Sequence, residues 1–153
     1  MSLPEITIHI YPTDCDMLGH VNHATMISFL EHARWALIEP HIPLDRALQR
    51  EEWSVVRHVD ISYHAQTLPG DDIVIRSGLA AMKNTSYVVR QDVRKKDTGQ
   101  LVADATIVFV TVGRDGRPVR VPREWGDILP HWPEDEGARA DPAARAGAAG
   151  RAT

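Results

Sequence analysis

Cysteine is what this sequence has least of. Cys15 has no second thiol to join, so an intrachain disulfide is excluded and a reducing compartment is expected. A basic excess is missing as well. The formal net charge is −4, which leaves no electrostatic footprint for nucleic acid, and aromatic residues are only 6%, leaving few rings for bases to stack on. No apolar run approaches the roughly 20 residues of a bilayer-crossing helix. The opening MSLPEITIHI has neither the basic nor the apolar region of a secretory leader. A cytoplasmic protein with no membrane and no nucleic-acid partner is therefore expected. Internal repeats are not visible. What is present is 43% hydrophobic and 25% charged residues in a chain of 153, the composition and size of one globular domain.

The chain is organised around the stretch from Tyr11 to Glu39. Its first part, Thr13 to Asn22, is a polar turn holding two aspartates, a glycine, a histidine and an asparagine. Its second part, about Ala24 to Glu39, has no Gly or Pro and predicts the only long helix, which Pro40 and Pro43 prevent from continuing. At about 1.5 Å per residue that helix spans roughly 24 Å. Ile27, Leu30, Ala33, Arg34, Leu37 and Ile38 mark one face, and Met26, Phe29, Trp35 and Ala36 carry apolar character well round the cylinder, which predicts an enclosed helix. Asn22 is placed to cap its N-terminus, and Glu31 and Arg34 are spaced to pair.

Ahead of the helix, Ile6, Ile8 and Ile10 alternate with polar residues and predict a half-buried strand ended by Pro12. After a polar linker from Pro40 to Glu52, strands are expected at about Trp53–Gln66, Asp72–Met82, Ser86–Lys96 and Gln100–Gly113. Turn chemistry separates them at Leu68-Pro69-Gly70-Asp71, Lys83-Asn84 and Asp97-Thr98-Gly99. Val88, Arg90, Asp92 and Arg94 predict one wet face on the third of these. The last is apolar on both sides and is expected to be central. Residues 133–153 are Ala/Gly/Arg-rich with little to bury, so a domain at 1–132 and a disordered tail are expected. The sum is an α+β fold, a curved antiparallel β-sheet wrapped around one long central helix. Such a layer leaves edge strands and a broad face open, which a second copy would cover.

Two aspartates in a turn before a helix are most often turn and capping residues. A carboxylate beside a helix N-terminus is also equipped for acyl chemistry. It can attack a carbonyl or take a proton from water, while backbone N–H groups and the helix dipole stabilise the oxygen that becomes negative. A thiol leaving group needs little acid assistance at neutral pH. On these grounds Asp14 is expected to hold the loop. Cys15, between two carboxylates, is a poor nucleophile because its thiolate is disfavoured. His20 and His23 lack a third ligand at a metal-binding spacing, so no metal is expected.

The string DCDMLGHVNH from Asp14 to His23, followed by an apolar helix, resembles the hotdog-fold acyl-CoA thioesterases of the 4-hydroxybenzoyl-CoA thioesterase type. YHAQTLPGDD from Tyr63 to Asp72, then Thr85-Ser86, then GRPVRVP from Gly116 to Pro122 match in the same order, so the resemblance covers roughly Glu5 to Trp125. It implies hydrolysis of a CoA thioester to a carboxylic acid and CoA. Asp16 would be nucleophile or general base, and the backbone N–H of His23 would polarise the carbonyl. Gly19, His20, Asn22 and Met26 are implied at the substrate, and Lys83, Thr85, Ser86, Arg117 and Arg120 at the CoA phosphates. The resemblance implies no cofactor beyond the CoA of the substrate, and a homodimer or homotetramer. His23 and Met26 depart from common family residues, and Met26 with Met17, Leu18 and Phe29 suits an aliphatic acyl chain at least as well as a ring. The competing readings are a hotdog dehydratase or hydratase, which wants a histidine absent at the matching position, and a non-catalytic acyl-CoA binding module. Glu31 is the helix carboxylate available should Asp16 not act.

Overall fold

The computed structural model describes residues 2–134. In chain order these form β1 (Glu5–His9), a 3-10 turn (Pro12–Asp14), α1 (His23–Ile38), α2 (Leu44–Ala47), β2 (Glu52–Tyr63), β3 (Asp72–Met82), β4 (Ser86–Lys95), β5 (Leu101–Gly113) and α3 (Trp125–Ile128). The strands make one antiparallel sheet in the order β1-β3-β4-β5-β2. The expected tail lies outside the described residues from position 135 onward. Among the described residues no helix is long and apolar enough to cross a membrane.

The strands follow the alternation and the turn residues of the sequence closely. β5 lies between β4 and β2 and is buried along most of its length, as its apolar character on both sides predicts. α1 begins where Asn22 caps it and ends just before Pro40. Within the linker, however, a four-residue helix α2 follows Pro43, and another, α3, follows Glu124. Neither is long enough to produce a periodic pattern.

One face of the sheet carries the core. Ile73, Ile75, Val93, Val102, Ala103 and Ala105 pack against Met26, Leu30 and Ala33 of α1. The burial is one-sided. Met26, Leu30 and Ala33 are buried, while Ile27, Leu37 and Ile38 are half-buried and Trp35 is 43% exposed, so a single chain does not enclose α1 as its apolar girth predicts. Arg34 also departs from expectation. It turns inward to donate to the Gln91 side chain at 2.8 Å, and its guanidinium lies over the Phe109 ring. No ion pair joins it to Glu31 among the described residues.

The opposite face of β3 and β4 is drier than its polar sequence predicts. Asp92 is buried, accepting from Arg76 Nε at 3.0 Å and Nη2 at 2.6 Å and from Arg94 at 3.3 Å. Residues 129–132 then cross this face. Leu79 N–H donates to the Pro130 carbonyl, Trp132 N–H donates to the Leu79 carbonyl, and the Trp132 ring lies against the guanidinium groups of Arg76 and Arg90. The crossing sits on Gly78, where a Cβ would meet Leu3 Cδ2 at 2.8 Å and the Pro130 carbonyl oxygen at 3.1 Å.

Candidate active site

The loop between the 3-10 turn and α1 is closed by its own polar residues. Asp14 accepts from the Tyr11 N–H at 2.9 Å, and its carbonyl accepts from the Asn22 N–H at 3.3 Å, so it holds the loop. Asp16 N–H donates to the His20 carbonyl, and Gly19 N–H donates back to the Asp16 carbonyl. That reversal requires φ +83° at position 19, which glycine adopts without a steric penalty. A bridge from Cys15 to Val21 and the Val21 N–H bond to the Thr67 carbonyl fasten the loop to the strand turn after β2.

Asp16 is held at both carboxylate oxygens. Leu18 N–H donates to Oδ1 at 2.9 Å and the Asn22 amide Nδ2 to Oδ2 at 3.1 Å. These bonds favour the charged form and hold the carboxyl below its usual range, the Leu18 N–H being the larger cause. Partial burial pushes the other way, and His20 and His23 pull slightly down. The carboxylate is thus fixed and ionised. Asn22 uses its other end as well: Oδ1 accepts from the Ala24 N–H at 2.9 Å and caps α1. One amide side chain therefore ties the carboxylate to the helix N-terminus and can take only one orientation.

The first residue of α1 is His23. Among the described residues its N–H donates to no acceptor, whereas its carbonyl accepts from the Tyr63 hydroxyl at 2.7 Å. An uncommitted amide at the positive end of a sixteen-residue helix is a ready donor for a developing oxyanion. Asp16, His20, His23 and Met26 line one cavity of about 360 Å³. Three residues with no obvious signal in the sequence complete it: Tyr63, His64 and Thr67. His64 pairs with Asp104 at 2.7 Å. Thr67 is buried, and its hydroxyl has no hydrogen-bond partner among the described residues. The YHAQT run flagged their stretch, but nothing in it marks these side chains for the site.

Cys15 behaves as its neighbours dictate. Burial first, then Asp14 and Asp16, push its thiol up, away from the thiolate. Glu31 does not reach this cavity and lines a different one. Lys83, Thr85, Ser86, Arg117 and Arg120 are not brought to Asp16 within one chain. The Thr85 carbonyl accepts from Thr111 N–H, and Arg117 and Arg120 flank the end of β5. Thr111 lies nine residues along β5 from Val102, whose carbonyl anchors His64 beside the cavity, a separation of about 30 Å at ~3.3 Å per residue.

Residues 10–133 match the family model described as the Thioesterase-like superfamily. The long-chain acyl-CoA thioesterase FadM of Escherichia coli K12 is 32% identical over 97 residues, covering 63% of this chain and 74% of that protein. The acyl-CoA thioester hydrolase YbgC of Escherichia coli O6:H1 is 29% identical over 106 residues, 69% of this chain and 78% of its own. Among solved structures, the probable thioesterase YbaW of Escherichia coli superposes with a TM-score of 0.72 at 26% identity, covering 81% of this chain and 94% of that one. With its five-stranded antiparallel sheet of the hotdog type, the chain belongs to the Thioesterase-like superfamily.

Proposed function

We propose that the protein hydrolyses acyl-CoA thioesters at the Asp16 cavity. The observation that carries this reading is one pairing: Asp16, with its fixed, ionised carboxylate, and His23, whose N–H is uncommitted among the described residues, line the same cavity at the start of α1. The thioester carbonyl oxygen accepts from the His23 amide. Asp16 either attacks the carbonyl carbon or orients the water that does. The C–S bond breaks, CoA leaves as the thiolate, and the acyl group departs as the acid after water adds. The names of FadM and YbgC support acyl-CoA as the substrate class. Met26 and Leu18 offer the acyl group an apolar wall. Tyr63 and Asn22 position the amide and the carboxylate without touching the reacting bond.

The assembly we infer is a pair joined along β2. Among the described residues that strand forms a free twelve-residue sheet edge and exposes Trp53, Val55, Val56 and Tyr63, a stretch that water does not favour. Antiparallel pairing of two β2 edges about their middle sets Trp53 of one copy near the partner copy's other β2 end. It also carries the Lys83, Ser86, Arg117 and Arg120 end of one chain toward the Asp16 cavity of the other, where cations would meet the CoA phosphates. In this pair we read α1 as the central helix of the fold, and the unpaired Cys15 accords with a cytoplasmic setting.

A single turnover in ¹⁸O-water tests the chemistry. Free thiol and free acid are expected from the wild type and their loss from Asp16→Asn with its melting curve unchanged. Unaltered release in that variant would remove Asp16 from the reaction. Label incorporated into the Asp16 carboxylate, with unlabelled acid released in that first turnover, would assign attack to the carboxylate itself.

A further inference from the structure

A second cavity, of about 200 Å³, shares no residue with the first and opens between the C-terminal half of α1, the start of β2 and the strands β4 and β5. Its walls are mostly apolar and aromatic: Tyr87 and Phe109 stack at 5.0 Å, and Trp35, Trp53 and Trp125 also line it. Its polar groups are few and unusually free. Arg34 is largely buried, and only one of its five N–H donors, the one to Gln91, finds an acceptor among the described residues. Ser54 and Thr111 are direct partners across β2 and β5, so their side chains share a face. Both hydroxyls are buried without a hydrogen-bond partner among the described residues, and Thr111 is 1% exposed; the Tyr87 phenol approaches Ser54 without meeting it in bonding geometry.

A buried donor left without an acceptor is destabilising, more so when charged, so one cation and two hydroxyls lacking acceptors on residues that line one cavity call for a polar partner there. The other charges at this cavity do not meet the need. Arg50 is taken by Glu52 and Glu124, and Glu31 is exposed and attracts Arg34 only from a distance. A cavity of about 150 Å³ accepts benzene, so this one has room for a single ring or short chain bearing a polar group. We propose that it binds a small organic carboxylate, its oxygens accepting from Arg34, Ser54 and Thr111 and its apolar body lying against Tyr87 and Phe109. The same chemistry fits a free acid or the carboxylate end of an acyl group, and only the second source rests on the thioesterase reading.

Intrinsic fluorescence reports the site directly, because three of the four tryptophans line it. Titration of the whole protein with benzoate should shift emission at least ten-fold more tightly than titration with neutral benzamide. Arg34→Met should abolish that preference, Thr111→Val should reduce it, and Glu31→Gln should strengthen it. Asp16→Asn should leave it unchanged, so the result stands apart from catalysis. Equal binding of the amide, an unchanged preference in Arg34→Met at wild-type melting temperature, or a crystal soaked in benzoate that holds only water between Arg34 and Thr111 would each overturn the proposal. A second arm, in which the cavity of one copy would serve the Asp16 site of the other across the pair inferred above, compares adipyl-CoA with hexanoyl-CoA by thiol release. A kcat/KM advantage for the ω-carboxylate that disappears in Arg34→Met assigns the site to the acyl end. Benzoate binding without that advantage assigns it to a free acid.

Discussion

Asn22 offers the most discriminating perturbation, because its amide makes two bonds with different consequences. Asn22→Ala removes the acceptor for Ala24 N–H and the donor to Asp16 together. Loss of an N-cap costs about 1 kcal/mol, which for a domain of this size lowers the melting temperature by roughly 2–5 °C. Loss of the donor acts on Asp16. Its carboxyl is depressed below the ordinary value of 3.8, so the stability and charge it contributes are present above that value and vanish as pH falls through the lower, folded one. Without the Asn22 amide the folded value rises, though the Leu18 N–H, the larger cause, remains. The acid limb of thiol release should therefore move upward, and turnover at neutral pH should fall about ten- to a hundred-fold as the carboxylate loses its fixed position. Asn22→Ser separates the two bonds. A hydroxyl caps the helix but does not replace the long amide donor, so melting should return to near wild type while turnover and the acid limb stay displaced. Thermal melts with a pH series of thiol release decide it. Recovery of both properties in Asn22→Ser would show that the Asn22–Asp16 bond has no part in the chemistry.

Further outcomes follow from the same geometry. Asp16→Asn should reduce acyl-CoA hydrolysis by about 10²–10⁴-fold, the range of a lost general base, with an unchanged circular dichroism spectrum. Tyr63→Phe deletes the 2.7 Å bond to the His23 carbonyl and should cost about 0.5–1 kcal/mol by denaturant titration, at the low end because the ring is 46% exposed. Val56→Lys places a charge on the exposed β2 edge and should give a monomer by sedimentation, with turnover lost at protein concentrations where the wild type stays paired.

The strands were legible because alternation and turn residues are local signals. Ile6 and Ile8 stand out within a few positions of their own chain, and Gly70 and Gly99 mark the turns they make. The helix α1 was legible through its cap and its prolines. Its environment was not. Apolar girth predicts enclosure, but the sheet of one chain covers only the Met26–Leu30–Ala33 side. Spacing set Arg34 beside Glu31, and tertiary structure overruled it by offering a buried amide, Gln91, 57 residues away. The site divides in the same way. Asp16, Gly19 and Asn22 belong to one loop and were readable together, whereas Tyr63 at the end of β2 and Thr67 in the turn after it arrive through contacts that no short-range pattern encodes. The second cavity was invisible for the same reason, since its walls come from separate elements that look ordinary one at a time.

Gly78 carries a practical consequence for anyone who would shorten or tag this protein. The missing side chain there lets Leu3 and the 130–132 segment, far apart in the sequence, meet over the same spot on β3. Leu3 and the 130–132 segment thus act as a clasp, and a cut before Trp132 would open it, baring Gly78 and stripping the indole from Arg76 and Arg90. A trimmed version should keep everything from Leu3 to Trp132 and carry any fusion beyond that span.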